Sequence, residues 1–186
     1  MIVTVIGDVG SGKSYGMVEQ ALEYERKGYH IYANFTLKNI KNSHFIEKQD
    51  VVDRPLLDGN VENQQYWKEY FCRPCFVMID EAQGWTDSRT AMSKSNRVIT
   101  RWFSQIRKIF GGDEDSFLIF ITQIIGMIDL RARKLSQYII EFQKVQKKPL
   151  IFLKTTFKVS NGACWKELLE FNINVAKHYD THEIIL

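Results

Sequence analysis

The opening of this chain, MIVTVIGDVGSGKSYG, constrains its fold more than any other stretch. Ile2 to Ile6 is an apolar, β-branched run of the kind a buried strand prefers. Gly7, Asp8, Val9, Gly10, Ser11, Gly12, Lys13 and Ser14 then fit G-x-x-x-x-G-K-[ST]. From Lys13 to about Lys27, the spacing of Met17, Ala21, Leu22 and Tyr24 predicts an amphipathic helix. A glycine-rich turn between a buried strand and a helix curls until several backbone N–H groups point inward. Those groups and the helix N-terminus favour phosphate oxygens. Residues Gly7 through Tyr15 are therefore the expected nucleotide-binding segment. Lys13 can reach the β- and γ-phosphates of ATP, and the Ser14 hydroxyl can hold Mg²⁺.

With 186 residues, the chain is most simply one domain spanning 1–186, large enough for a proper core. Its net charge is only +3, but the charge is unevenly placed. Lys94 to Lys158 carries 13 basic and 5 acidic residues, while the remainder carries 12 basic and 17 acidic. A basic half in a nucleotide-binding chain points to a polyanionic partner such as DNA. Solvated lysines on exposed faces account for the same bias. The N-terminus has no basic leader, and the longest apolar stretch, Phe117 to Leu130, is interrupted by Gln123 and Asp129. No membrane contact is expected within this chain, and a cytoplasmic location is. Cys72-Arg-Pro-Cys75 and His178-x-x-x-His182 imitate a zinc set, but they lie far beyond finger spacing.

Further along, Tyr29 to Phe35 reads as a second strand after a cap at Gly28, and residues 36–60 as polar and irregular. Residues 61–71 suit a short helix, Phe76 to Ile79 a buried strand, and 84–95 a loop. Residues 96–110 suit a helix whose Val98, Ile99, Trp102, Phe103, Ile106, Ile109 and Phe110 share one arc. Phe117 to Thr122 reads as another buried strand. Tyr138 to Gln143 and Leu150 to Val159 read as a closing pair of strands. Trp165 to Phe171 reads as a possible short helix. Strands alternating with helices predict an α/β domain with a mainly parallel sheet.

The strand FVMI ends in Asp80-Glu81. A carboxylate at the carboxyl end of a buried strand can hold Mg²⁺ opposite Ser14. A second one directly after it points elsewhere and can polarise a water for attack on the γ-phosphate. An acid-rich helix N-terminus is the alternative explanation of the pair, and the preceding apolar strand favours the metal one. The strand FLIFIT delivers Thr122 and Gln123 to the same sheet edge, where Gln123 either senses the γ-phosphate or caps the strand. A kinase, and a switch that binds nucleotide without turnover, remain open on these residues alone.

The set GDVGSGKS, YANF, FVMIDEAQGWTDSR, FLIFITQ and IDLRARKLSQYI resembles the zonula occludens toxin family, which includes filamentous-phage assembly ATPases. The resemblance covers roughly residues 1–145 and places the chain among the ring-forming FtsK/HerA-type DNA translocases. It implies a three-layer P-loop NTPase (RecA/ASCE-like) fold with a C-terminal β-hairpin. It also implies an ATP hydrolase acting in virus or phage assembly, in the host cytoplasm or tethered to the inner membrane by a longer parent chain. Lys13 and Ser14 match the Walker A lysine and Mg²⁺ ligand, Asp80 the Walker B aspartate, Glu81 the water-activating glutamate, and Gln123 the polar sensor. The partners implied are further copies of the chain in a ring, with a hexamer expected, DNA, and other virion-assembly proteins. Arg107 is the nearest match to an arginine acting on a neighbouring subunit's nucleotide, with Arg131 and Arg133 as competitors.

Overall fold

The computed structural model describes residues 1–52, 61–86, 89, 93–110 and 116–179. Strand β1 (Ile2–Ile6) runs into helix α1 (Lys13–Arg26) and returns as β2 (His30–Ala33). Then come β3 (Ser43–Phe45), α2 (Lys48–Val52), α3 (Val61–Tyr70) and β4 (Cys75–Ile79). Helix α4 (Lys94–Ile109) leads to β5 (Phe117–Ile121), and the short α5 (Leu130–Lys134) leads to β6 (Tyr138–Lys147). The described part closes with β7 (Leu150–Lys158), β8 (Cys164–Glu170) and α6 (Ile173–Ala176).

The strands form one sheet in the order β3-β2-β4-β5-β1-β6-β7-β8. Every pairing from β3 to β6 is parallel, and β7 and β8 add antiparallel strands at one edge. Strand β5 therefore lies between the strand that delivers the glycine loop and the strand that delivers Asp80. Register levels their ends, because Val5 sits beside Ile121 and Ile79 beside Phe120. The glycine loop, Asp80 and Thr122 consequently emerge at one edge, where open α/β sheets bind ligands.

The central strands β1, β4 and β5 are buried on both faces, and period-2 alternation divides their side chains between two cores. Val3, Val5, Phe76, Met78, Ile119 and Ile121 pack against Met17, Val18 and Ala21 of α1. Val77, Ile79, Leu118 and Phe120 pack on the other face against Ile99, Trp102, Phe103 and Ile106 of α4. The Phe103 and Phe120 rings meet edge to face, 4.5 Å apart. Burying a large apolar side chain contributes about 1.5–3 kcal/mol, so the two layers hold the central strands from both sides. Helix α4 starts where Ser93 accepts the Asn96 N–H at 3.1 Å, an N-terminal cap.

The C-terminal region departs from the sequence expectation. Trp165 to Phe171 is not a helix. Residues Cys164–Glu170 form β8, which pairs with β7 from Phe157↔Cys164 to Ile151↔Glu170. The reason is local: Gly162, after Asn161, takes φ 69° and turns the chain back antiparallel. Most β8 side chains are exposed, so their apolar spacing says little about the backbone. The expected hairpin is thus a three-stranded antiparallel extension. Residues 36–52 also contain a short strand and helix where irregular chain was expected, and β3 pairs parallel to β2. Among the described residues, no helix is long and apolar enough to cross a membrane.

Candidate active site

The glycine loop is shaped by close contact with the antiparallel edge. Gly7 has φ 148°, and a Cβ there would lie 2.4 Å from the Phe142 carbonyl oxygen. Gly12 has φ 93°, and a Cβ there would lie 2.6 Å from the Phe152 ring. Only glycine satisfies both the backbone angle and the space at these positions. The Gly7 N–H donates to the Gln123 carbonyl at 3.4 Å, tying the loop to the end of β5. Lys13 is buried, and its Nζ donates to the Asp8 carbonyl across its own loop at 2.8 Å. Ser11 Oγ is buried inside the loop with no hydrogen-bond partner. A buried, unpartnered hydroxyl in a glycine-rich loop suits an oxygen-rich anion such as a phosphate.

Across the sheet edge, Ser14 Oγ donates to Asp80 Oδ2 at 2.7 Å. Burial pushes the Asp80 carboxyl above its ordinary value, while the Ser14 hydroxyl and the Glu81 N–H oppose that shift. A hydroxyl and a half-buried carboxylate in contact form an oxygen donor pair suited to Mg²⁺. The Asp80 peptide is itself clamped. Its N–H donates to Asn34 Oδ1 at 2.7 Å, and Asn34 Nδ2 donates to its carbonyl at 2.9 Å. Asn34 follows β2, so the strand beside β4 fixes where Asp80 can point. The role of Asn34 escapes single-sequence reading because its partner lies 46 positions away.

Glu81 takes the left-handed conformation, φ 48° and ψ 48°, which bends the chain sharply off β4. Its exposed carboxylate accepts from Gln83 Nε2. Gln83 Oε1 in turn accepts from Thr122 Oγ1 at 2.8 Å. The two residues at the end of β5 therefore separate. Thr122 reaches the carboxylate network, whereas Gln123 lines a 460 Å³ cleft with the glycine loop and Glu141, Gln143 and Lys144 of β6.

Other expected site residues lie elsewhere. The Tyr15 side chain is not in the phosphate cradle. It packs against Phe152 and Phe171, and its hydroxyl accepts the Asn172 N–H at 2.9 Å. Arg131 is bound to Asp129 through Nε and Nη2, both at 3.1 Å. Arg133 Nε is buried without a hydrogen-bond partner. Arg107 lies on α4, but its side chain, like Asp113 and Glu114, is outside the described residues. Arg97, Arg101 and Lys108 are all exposed on α4, as one stripe requires. Cys75 is buried in β4 and its thiol is pushed up to about 12, which disfavours the thiolate a zinc site needs. His182 is outside the described residues.

The sequence model of the zonular occludens toxin (Zot) family matches residues 1–176. The chain belongs to the Zot family. This Zot-family chain is 24% identical over 191 residues to the Gene 1 protein of Escherichia phage If1, an alignment covering 97% of this chain and 52% of that protein. It is 25% identical over 178 residues to the Gene 1 protein of Enterobacteria phage I2-2, covering 87% of this chain and 45% of that protein. The chain thus spans about half the length of these curated relatives. The N-terminal domain of zonular occludens toxin from Neisseria meningitidis superposes with a TM-score of 0.60 at 20% identity, covering 96% of this chain and 98% of that one. The genome packaging NTPase B204 of Sulfolobus turreted icosahedral virus 2, solved with ATP-gammaS, superposes at 0.59 with 12% identity, covering 89% and 96%. These likenesses agree with the P-loop NTPase fold built above from the sheet order and the glycine loop.

Proposed function

We propose that this chain is the ATP-hydrolysing domain of a phage- or virus-assembly motor that moves DNA, either into a particle or out of the cell. The observation that carries the reading is the Ser14–Asp80 contact at 2.7 Å, which joins the phosphate loop to the Walker B strand. Glu81 directly follows on an exposed turn beside the same edge. Family membership and the similarity to a packaging NTPase support the biological setting.

In this reading the ATP phosphates lie on the loop amides of Gly7 to Ser14. Lys13 leaves the Asp8 carbonyl for the β- and γ-phosphates, and Ser11 Oγ gains an acceptor it lacks within the protein. Ser14 and Asp80 would hold Mg²⁺, which would neutralise charge on the phosphates when bound. Glu81 takes a proton from a water as that oxygen bonds to the γ-phosphorus, and the bond to the β–γ bridging oxygen breaks to release ADP. Gln123 faces the cleft beside the loop, where it can orient the γ-phosphate. A nucleotide at a sheet edge is open on one side. An arginine from the next copy in a ring would complete it, with Arg107 the first candidate.

The test is steady-state phosphate release with and without DNA. The wild-type chain should hydrolyse ATP, and DNA should raise the rate. Lys13→Ala loses ATP binding because the phosphates lose a charge-assisted donor. Glu81→Gln still binds ATP but turns over about 100-fold more slowly or worse. Wild-type turnover in Glu81→Gln would remove Glu81 from its role.

A further inference from the structure

The ATPase reading assigns roles to Lys13, Ser14, Asp80 and Glu81 but gives none to Gln83 or to the Thr122 hydroxyl. We propose that Gln83 is a positioning residue that holds the Glu81 carboxylate in place, and that Thr122 holds the amide oxygen of Gln83. The inference rests on Glu81 being the water-activating base.

The chemistry of the three groups favours one arrangement. A carboxylate only accepts. An amide has one oxygen that only accepts and one nitrogen that only donates. Gln83 presents Nε2 to Glu81 Oε2, so its oxygen must face away, and there it meets Thr122 Oγ1 at 2.8 Å. The Thr122 hydroxyl, 1% exposed, therefore donates its proton to Gln83 Oε1. A flipped amide would set oxygen against carboxylate, and it would leave the Thr122 hydroxyl only the Ile124 carbonyl, at 3.4 Å, as an acceptor. The carboxylate thus excludes the flip, and Thr122 holds the amide oxygen in the orientation that offers Glu81 a donor.

Backbone geometry supports the same assignment. The left-handed turn at Glu81 starts the short 3₁₀ turn Ala82–Gly84, closed by Gly84 N–H donating to the Glu81 carbonyl at 2.7 Å. That turn brings Gln83 back beside the carboxylate two positions earlier. Thr122 is fixed independently, since its N–H donates to the Val5 carbonyl at 2.9 Å on the strand that enters the glycine loop. The base is therefore referenced through Gln83 and Thr122 to β1.

Kinetics and a non-kinetic readout together test this. Gln83→Leu should lower kcat about tenfold or more while KM for ATP stays within about twofold, as expected for a misplaced base with an intact binding loop. Thr122→Val should lower kcat in the same way, and Thr122→Ser, which keeps the hydroxyl, should restore it. The double variant Gln83→Leu/Thr122→Val should be no worse than the more severe single one, because both break one chain of bonds. Unchanged kcat in Gln83→Leu, or loss in Thr122→Ser equal to that in Thr122→Val, would overturn the assignment. Nitrogen-edited NMR reads the pairing without turnover. The Gln83 side-chain amide resonance should move in Glu81→Ala and in Thr122→Val, and a resonance unmoved in both overturns the pairing. A wild-type chain without ATP turnover would sink the hydrolase reading, and the amide resonance would still decide whether Gln83 holds Glu81.

Discussion

Ser14 and Asp80 stand 66 positions apart in sequence, yet the serine hydroxyl donates to the aspartate carboxylate at 2.7 Å. The contact exists because β5 fills the gap between β1 and β4 and levels their ends. Any residue that fixes either end of this contact controls the site.

Asn34 is such a residue. Its side chain is bonded to both the N–H and the carbonyl of Asp80. Asn34→Ala leaves two backbone groups short of partners and should cost about 1–3 kcal/mol. Nucleotide binding should persist through the loop, while hydrolysis falls because Asp80 and Glu81 lose their reference. Chemical denaturation and phosphate release measure the two effects. Stability and rate both equal to wild type would show that Asp80 is held by its strand alone.

Gly16 tests the packing between α1 and β6. A Cβ there would lie 2.4 Å from the Phe142 ring, although alanine is the better helix former. Gly16→Ala should therefore destabilise by roughly 1–3 kcal/mol. Adding Phe142→Leu should recover part of the loss, because the smaller side chain makes room. A stabilising Gly16→Ala in thermal melts would mean that Phe142 moves aside freely.

Asp129 links stability to pH. The hydrogen bond from Arg131 holds its carboxyl below the ordinary aspartate value, and it also caps α5 through the Arg131 N–H at 2.8 Å. A lowered folded-state pKa stabilises above the unfolded value and is lost as pH falls through the folded one. The contribution should be present at neutral pH and vanish only below about pH 4. Asp129→Ala should cost about 1 kcal/mol at pH 7, chiefly as a lost cap, and less near pH 2. Equal costs at both pH values in urea titrations would contradict the linkage.

The exposed stripe of Arg97, Arg101 and Lys108 gives a test for nucleic acid. The three fall within roughly 40° on α4 at about 100° per residue. Arg101→Glu should weaken DNA binding across sequences and lower the salt slope by about one. A slope equal to wild type would make the stripe ordinary solvated surface.

Subunit mixing tests the shared site. Arg107→Ala should bind ATP and hydrolyse it poorly, while Lys13→Ala cannot bind it but presents an intact Arg107. Mixed, the two inactive chains should regain part of the activity. Recovery with Arg131→Ala or Arg133→Ala in place of Arg107→Ala would move the arginine to the segment after β5. No recovery with any of the three would count against a nucleotide shared between copies.

The sequence alone determined the phosphate loop, the strands that end in Asp80 and Thr122, and the helix α4, because each is written in contiguous residues. Glycine spacing, β-branched runs and a helical apolar arc are local signals that need no distant partner. The sequence did not determine β8, whose exposed side chains leave only the Asn161-Gly162 turn as a clue, nor β3 with its three residues. Tyr15 was legible as a loop neighbour, yet its ring belongs to the core beside Phe152 and Phe171. Only the tertiary structure decided that Asn34 clamps Asp80 and that Thr122, not Gln123, reaches the Glu81 network. Strand order and register choose which side chains meet at the sheet edge, and these are set by the packing of two helical layers rather than by any neighbouring residue.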